Sequence, residues 1–227
     1  MRPPPLSARV ASATERAFEA LSAGRGGRIF HPDGFAFRAT ARVEEGVPGV
    51  PLLEAGAVHD AIARFSRGLG LPRGHLDFPG LAVRFGDEQD ILLASSSPLI
   101  GARFVPLPAR SFFGTTLSSL LPFHAGERVV LVAARVEGEA TGADDQLVEL
   151  EQAVARGPVT AELSLADPAG SWERFGVLEV GERLPDGEAQ ALRFDPWRCA
   201  GGLVPWGRIN KLRAPAYRGS RRGRADT

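Results

Sequence analysis

Phe35-Ala36-Phe37-Arg38-Ala39-Thr40-Ala41-Arg42-Val43 is the stretch whose reading decides the fold. Phe35, Phe37, Ala39, Ala41 and Val43 alternate with Arg38, Thr40 and Arg42. A repeat of two is the side-chain period of a strand, so this stretch predicts a strand with one buried face. The segment before it, Arg28-Ile29-Phe30-His31-Pro32-Asp33, reads as a turn that delivers the chain into that strand. Further back, Val10, Thr14, Ala17, Phe18 and Leu21 recur at helical spacing, which predicts a helix over 8–22, stopped by Gly24, Gly26 and Gly27. Residues 1–7 are a proline-rich lead expected to be flexible.

Past a glycine-proline loop the strand pattern returns. Residues 61–66 read as a second strand or an extended segment, and Leu81, Val83 and Phe85 alternate with Ala82 and Arg84 as a third. A short apolar fourth covers 90–94 and ends in Ser95-Ser96-Ser97-Pro98. Residues 99–125 are irregular, with a short helix predicted near 115–121. Residues 128–136 form the strongest strand, and the unbroken run from Val129 to Val132 predicts burial on both faces. Asp144 or Asp145 is placed to cap a helix carrying Leu147, Leu150 and Val154. Strands over 160–165, 175–180 and 189–194 bring the count to about eight. Many antiparallel strands with interspersed helices fit a closed barrel, and eight strands suffice to fill one with side chains. With no internal repeat and no composition break, residues 1–227 are expected to form a single domain.

Composition narrows the function classes. One cysteine, Cys199, excludes an internal disulfide and a cysteine-rich metal site. No apolar run reaches the length of a membrane span, and the N-terminus lacks a signal-peptide core, so the expected location is the cytoplasm. Neither a phosphate loop nor a Gly-x-Ser-x-Gly elbow is present. His59, His75 and His124 have no ligand spacing. Net charge is zero over 227 residues, yet from Arg208 onward the chain carries +6. That end calls for an anion. It lacks interleaved aromatics, so nucleic acid is not the expected partner.

Within the basic end, Arg213-Ala214-Pro215-Ala216-Tyr217 holds the only tyrosine of the chain. Residues four apart on a helix share a face, so Arg213 can reach the phenol oxygen and favour its anion. A phenolate ligates ferric iron. The competing reading is a basic tail with one stray aromatic.

Six segments, in order, resemble the haem catalases. Arg28-Ile29-Phe30-His31-Pro32-Asp33-Gly34 is similar to the family's segment bearing the distal histidine. Arg64-Phe65-Ser66 is similar to its Arg-Phe-Ser strand, and 77–85 to its Asp-x-x-Gly-Phe-Ala-x-Lys-Phe run. Asp90 through Pro98 resembles its Asp-Leu-Val-Gly-Asn-Asn-Thr-Pro turn, Phe194-Asp195-Pro196 its Phe-Asp-Pro, and Arg213 to Tyr217 its proximal Arg-x-x-x-Tyr. The resemblance implies an α+β, mainly β fold: an eight-stranded antiparallel catalase-type barrel with flanking helices, with 208–227 as the proximal-ligand segment. It implies haem b between His31 and Tyr217, with Tyr217 as metal ligand and Arg213 keeping it ionised. Ser66 would orient the His31 imidazole, Ser96 would stand where catalases place an asparagine, and Arg28, Arg64 and Arg224 would meet the propionates. Phe30 replaces a smaller valine beside the histidine, and the family's Phe-Phe-Ile-Arg-Asp run is absent from 99–104. The implied partner is peroxide or an organic hydroperoxide, turned over by a catalase- or peroxidase-like oxidoreductase. The departures leave open a non-catalytic barrel that binds haem or another apolar ligand. A homo-oligomer is compatible with either.

Overall fold

A computed structural model describes residues 33–207. Ten strands and two helices follow in chain order. Strand β1 (Gly34–Val43) continues into β2 (Val58–Arg67), β3 (Pro79–Phe85), β4 (Gln89–Ser95), β5 (Thr116–Ser118), β6 (Phe123–Ala125) and β7 (Arg128–Val136). Helix α1 (Gln146–Arg156) precedes β8 (Val159–Ala166) and β9 (Glu173–Arg183). A short helix, α2 (Asp186–Ala191), and β10 (Leu203–Pro205) complete the described chain.

Eight of these strands close on themselves. The hydrogen-bonded order is β7-β5-β4-β3-β2-β1-β9-β8, and β8 pairs again with β7. Every pairing in the ring is antiparallel. The expected mainly β, eight-stranded antiparallel barrel is therefore what the chain forms. Closure removes free sheet edges. Strands β6 and β10 form a small ribbon attached outside the ring, β6 pairing with the first residues of β7.

Alternation fills the barrel. Phe37, Ala39, Ala41 and Val43 of β1, Ala63 and Phe65 of β2, Val83 of β3, and Val130 and Val132 of β7 belong to one buried cluster, with Phe35 packed against it. Phe65 stands edge-on to Phe37 at 6.0 Å and to Phe112 at 5.1 Å between ring centroids. In β7, Leu131 and Ala133 face outward and are still buried. Arg103 explains why. It accepts at its carbonyl from the Ser118 hydroxyl on β5 and donates to the carbonyls of Asp167 and Gly170 beyond β8, so its segment crosses the outer face of β7.

Asp145, one of the two expected caps, accepts from the Leu147 and Val148 amides at the start of α1. Two predicted elements are corrected. The helix expected near 115–121 is replaced by β5, where Leu117 enters the core opposite Ala134 and bridges β4 to β7. Pairing that closes a barrel overrides local helix preference. The strand expected over 189–194 is instead the end of α2 and an irregular run after it. Asp186 and Glu188 lie in the first turn of α2, where acids suit the helix dipole. The helix expected over 8–22 lies outside the described residues.

Candidate ligand cleft on the outer face of the barrel

The side chains that alternate with the core face outward, and on β1–β4 they form two rows. Gly34 pairs with Ser66, Ser66 with Gly80, and Gly80 with Ala94. One step along, Ala36 pairs with Arg64, Arg64 with Ala82, and Ala82 with Leu92. Seldom does an outward face carry so little side chain, with glycine or alanine at five of these eight positions. Small residues leave a flat shelf on which a broad ligand can approach the backbone.

Gly34, Arg64, Ser66, Ala82 and Leu92 of these rows, with Phe35, Leu81 and Leu93 from the alternate positions, line a cleft of about 1210 Å³. Leu147 and Val148 of α1 and residues 189–194 wall it. Arg64, Arg67, Arg73, Arg183 and Arg193 all line it. Several are held by acids at its mouth. Arg67 pairs with Asp33 at 2.8 Å, and Arg73 with Asp145 at 3.0 Å. Arg183 bonds Glu151 and, at 2.6 Å, Asp186, and its guanidinium lies 3.9 Å from the Phe35 ring centre. Burial opposes the Arg183 charge, but Glu151 and Asp186 outweigh it and raise its pKa.

Two details point to a ligand with an anionic edge. The Arg67 Nε is buried and has no hydrogen-bond partner. The other two nitrogens of the same guanidinium donate to the Leu71 carbonyl at 3.0 Å and to Asp33 at 2.8 Å, which fixes the charge at the cleft. The second detail is Gly34. A Cβ there would lie 2.6 Å from the Phe65 carbonyl oxygen and 2.9 Å from the Arg64 guanidinium. The absent side chain is what lets Arg64 lie across the start of β1.

Of the residues expected at a site, Arg64 and Ser66 line this cleft together, two apart on β2 and on one face. Ser66 is buried, with its hydroxyl 3.4 Å from the Gly80 carbonyl oxygen. Ser96 is not among the lining residues. It is buried, and its hydroxyl donates at 2.9 Å to Ser118, which passes the chain on to the Arg103 carbonyl. Arg28, Phe30, His31, Arg213, Tyr217 and Arg224 lie outside the described residues. Among the described residues no cluster of three histidine, cysteine or acidic side chains could hold a metal ion. No helix there is long and apolar enough to cross a membrane.

Sequence reading missed Arg67, Arg183 and Arg193. Arg67 directly follows the Arg-Phe-Ser stretch, which was a signal in plain view. Arg183 could not be found that way, because the pairing of β9 with β1, through a bulge between Phe37 and Ala39, brings it to the cleft.

No family model matches the chain, and no curated protein matches it. Solved structures do. A fungal catalase superimposes with a TM-score of 0.61 at 12% identity, over 90% of this chain and 59% of the catalase chain. Catalase A from Saccharomyces cerevisiae gives 0.60 at 11% identity, over 88% and 61%. The fold is catalase-like. The chain spans about three fifths of the length of these two catalases. At this identity the likeness is one of fold.

Proposed function

We propose that the cleft binds haem b and that the protein is a peroxide- or organic-hydroperoxide-dependent oxidoreductase. The observation that carries this reading is the cleft's lining: Gly34 and Ala82, where a side chain is absent or small, with Arg64 and Arg67 beside them. A flat apolar ring with carboxylates at one edge suits that combination of surface and charge. Arg64 is expected to take a carboxylate, together with Arg28 and Arg224. Arg67 is added from its place in the cleft.

Bound haem would supply a ferric centre at which a peroxide oxygen–oxygen bond is broken. The chain's own residues would do the rest. His31 is the proton carrier, taking a proton from one peroxide oxygen and returning it to the other. Ser66 fixes the His31 ring, as outer partners of a catalytic imidazole do. Phe30, bulkier than the valine the resemblance expects, would narrow the approach. Tyr217 would hold the iron as a phenolate, an anion that Arg213 would favour.

A non-catalytic haem or apolar-ligand barrel is the second reading. The hydrogen bond of Ser96 to Ser118 favours it, because Ser96 is then turned to Ser118 and is not among the residues that line the cleft.

Titration of the purified protein with hemin, followed by its absorption spectrum, tests binding. The expected result is a saturable Soret band that Tyr217→Phe abolishes or displaces. An unchanged spectrum in Tyr217→Phe would remove tyrosine from the site. Peroxide consumption then separates the two readings. His31→Ala should bind hemin and lose roughly a hundredfold in peroxide reactivity if the protein is an enzyme. No loss, from a low starting rate, would leave the binding protein.

A further inference from the structure

One wall of the cleft is built unlike the others. From Pro185 to Phe194, ten consecutive residues, no side chain is buried. Seven of the ten line the cleft: Asp186 and each residue from Ala189 to Phe194. The segment thus covers a cavity without packing into a core. Among the described residues, the hydrogen bonds found for 187–192 are local: the Ala189 amide to the Pro185 carbonyl, and Arg193 to the carbonyls of Gln190 and Leu192.

Its two ends are fixed. At entry, Leu184 is buried and its amide donates to the Ala36 carbonyl of β1 at 2.7 Å. Arg183 holds Asp186 there as well. At exit, Arg84 and Asp90, directly paired across β3 and β4, form a bidentate ion pair with distances of 2.8 and 2.9 Å. The pair has capacity left, and the strap uses it. Arg84 also donates to the Arg193 carbonyl and lies 5.0 Å from the centre of the Phe194 ring. Asp90 accepts from the Asp195 amide at 2.7 Å. Beyond this point the chain is anchored again, with Ala200 on Glu88 and Leu203 on Gln89.

We infer that residues 185–194 are a strap that opens and closes over the cleft, and that the Arg84–Asp90 pair is the latch that holds its trailing end. A segment clamped at both ends, with an unburied middle over a cavity, opens at low free energy while the barrel stays folded. The hinge at Leu184 and the latch at Asp195 confine the motion to the strap. Arg84 and Asp90 are positioning residues. They act by setting where Arg193 and Phe194 stand against the ligand, and the role of the cleft as a ligand site rests on the preceding proposal.

Amide hydrogen exchange on the protein without ligand tests the strap by itself. Amides of 186–194 should exchange about a hundredfold or more faster than those of β3 and β4. Phe194→Ala, which keeps the ion pair, should speed exchange at 192–195 by about threefold or more and leave β2 and β3 unchanged. Asp90→Asn should do the same more strongly, and Phe194→Ala keeps the test open if Asp90→Asn does not fold. Exchange at 186–194 as slow as in the barrel would make this a fixed wall and overturn the inference. So would a Phe194→Ala effect spread over all strands. Stopped-flow hemin uptake adds a separate arm, in which Phe194→Ala should accelerate association by about threefold or more. Uptake unchanged in a variant with loosened 192–195 would remove the gating role. Failure of wild-type hemin binding would sink the haem proposal and leave the exchange result to decide the strap.

Discussion

The two faces of the same four strands obey different rules. The inner face of β1–β4 carries Phe37, Ala63, Phe65, Leu81, Val83, Ile91 and Leu93, all buried in one cluster. The outer face carries Gly34, Ala36, Arg64, Ser66, Gly80 and Ala82, of which Gly34, Arg64, Ser66 and Ala82 line a cleft. Inside, size and apolarity are set by packing, where a lost methylene is felt. Outside, a solvated strand face would accept almost any polar side chain, so bare positions beside arginines are the anomaly. On the function proposed above, this barrel binds its ligand on its outside. The interior serves to hold the shelf flat and its rows in register.

That division can be broken at its strongest point first. Phe65→Ala removes a ring that contacts both Phe37 and Phe112 at the centre of the barrel. The expected loss is about 3–5 kcal/mol of unfolding free energy, measured by urea denaturation. A loss under about 1 kcal/mol would mean the interior is not the packed core that divides the two faces.

A smaller effect is expected on the boundary between the faces. Gly34→Ala places a Cβ 2.6 Å from a backbone oxygen, which cannot swing away as a side chain can. Overpacking of this kind costs about 1–3 kcal/mol. The Arg64 guanidinium, 2.9 Å from the same Cβ, must also move. The variant is therefore expected to lose both stability and hemin affinity, whereas Phe65→Ala should lower affinity only in proportion to unfolding. Hemin titration at equal folded fraction distinguishes them.

The inner face was legible in the sequence and much of the outer face was not. Alternation in 35–43 and the continuous run in β7 each specify burial through side-chain period, and both strands form where expected. Strands β5, β6 and β10 have three residues each, too few to show any period. Residues 189–194 contain apolar residues that suggested a strand, but no partner strand is available to them once β9 pairs with β1 and β8. On the outer face, Arg64 and Ser66 stood out through their resemblance to a catalase motif. Arg183 and the strap depend on how β9 returns to β1, which is a property of closure and not of local spacing.

The smallest effect on stability, and the sharpest separation of the faces, is expected at Arg67. Its ion pair with Asp33 is open to solvent on the acid's side, with side-chain exposures of 13% and 55%. Such pairs are worth about 0–1 kcal/mol. Its Nε is already buried without a partner, so replacing the guanidinium also removes an unsatisfied donor. These two contributions oppose each other, and Arg67→Gln is expected to change unfolding free energy by less than about 1 kcal/mol. Ligand binding should respond quite differently. If Arg67 donates to a ligand carboxylate, its loss removes a charge-assisted hydrogen bond of about 1.5–3 kcal/mol, or about tenfold to a hundredfold in hemin affinity. The wild type should also bind more weakly as salt is raised, because part of the cleft mouth is exposed. Arg67→Gln should show a shallower dependence. Equal hemin affinity in the two proteins, at low salt and with folding intact, would place the anionic edge of the ligand away from Arg67 and leave Arg64 to receive it.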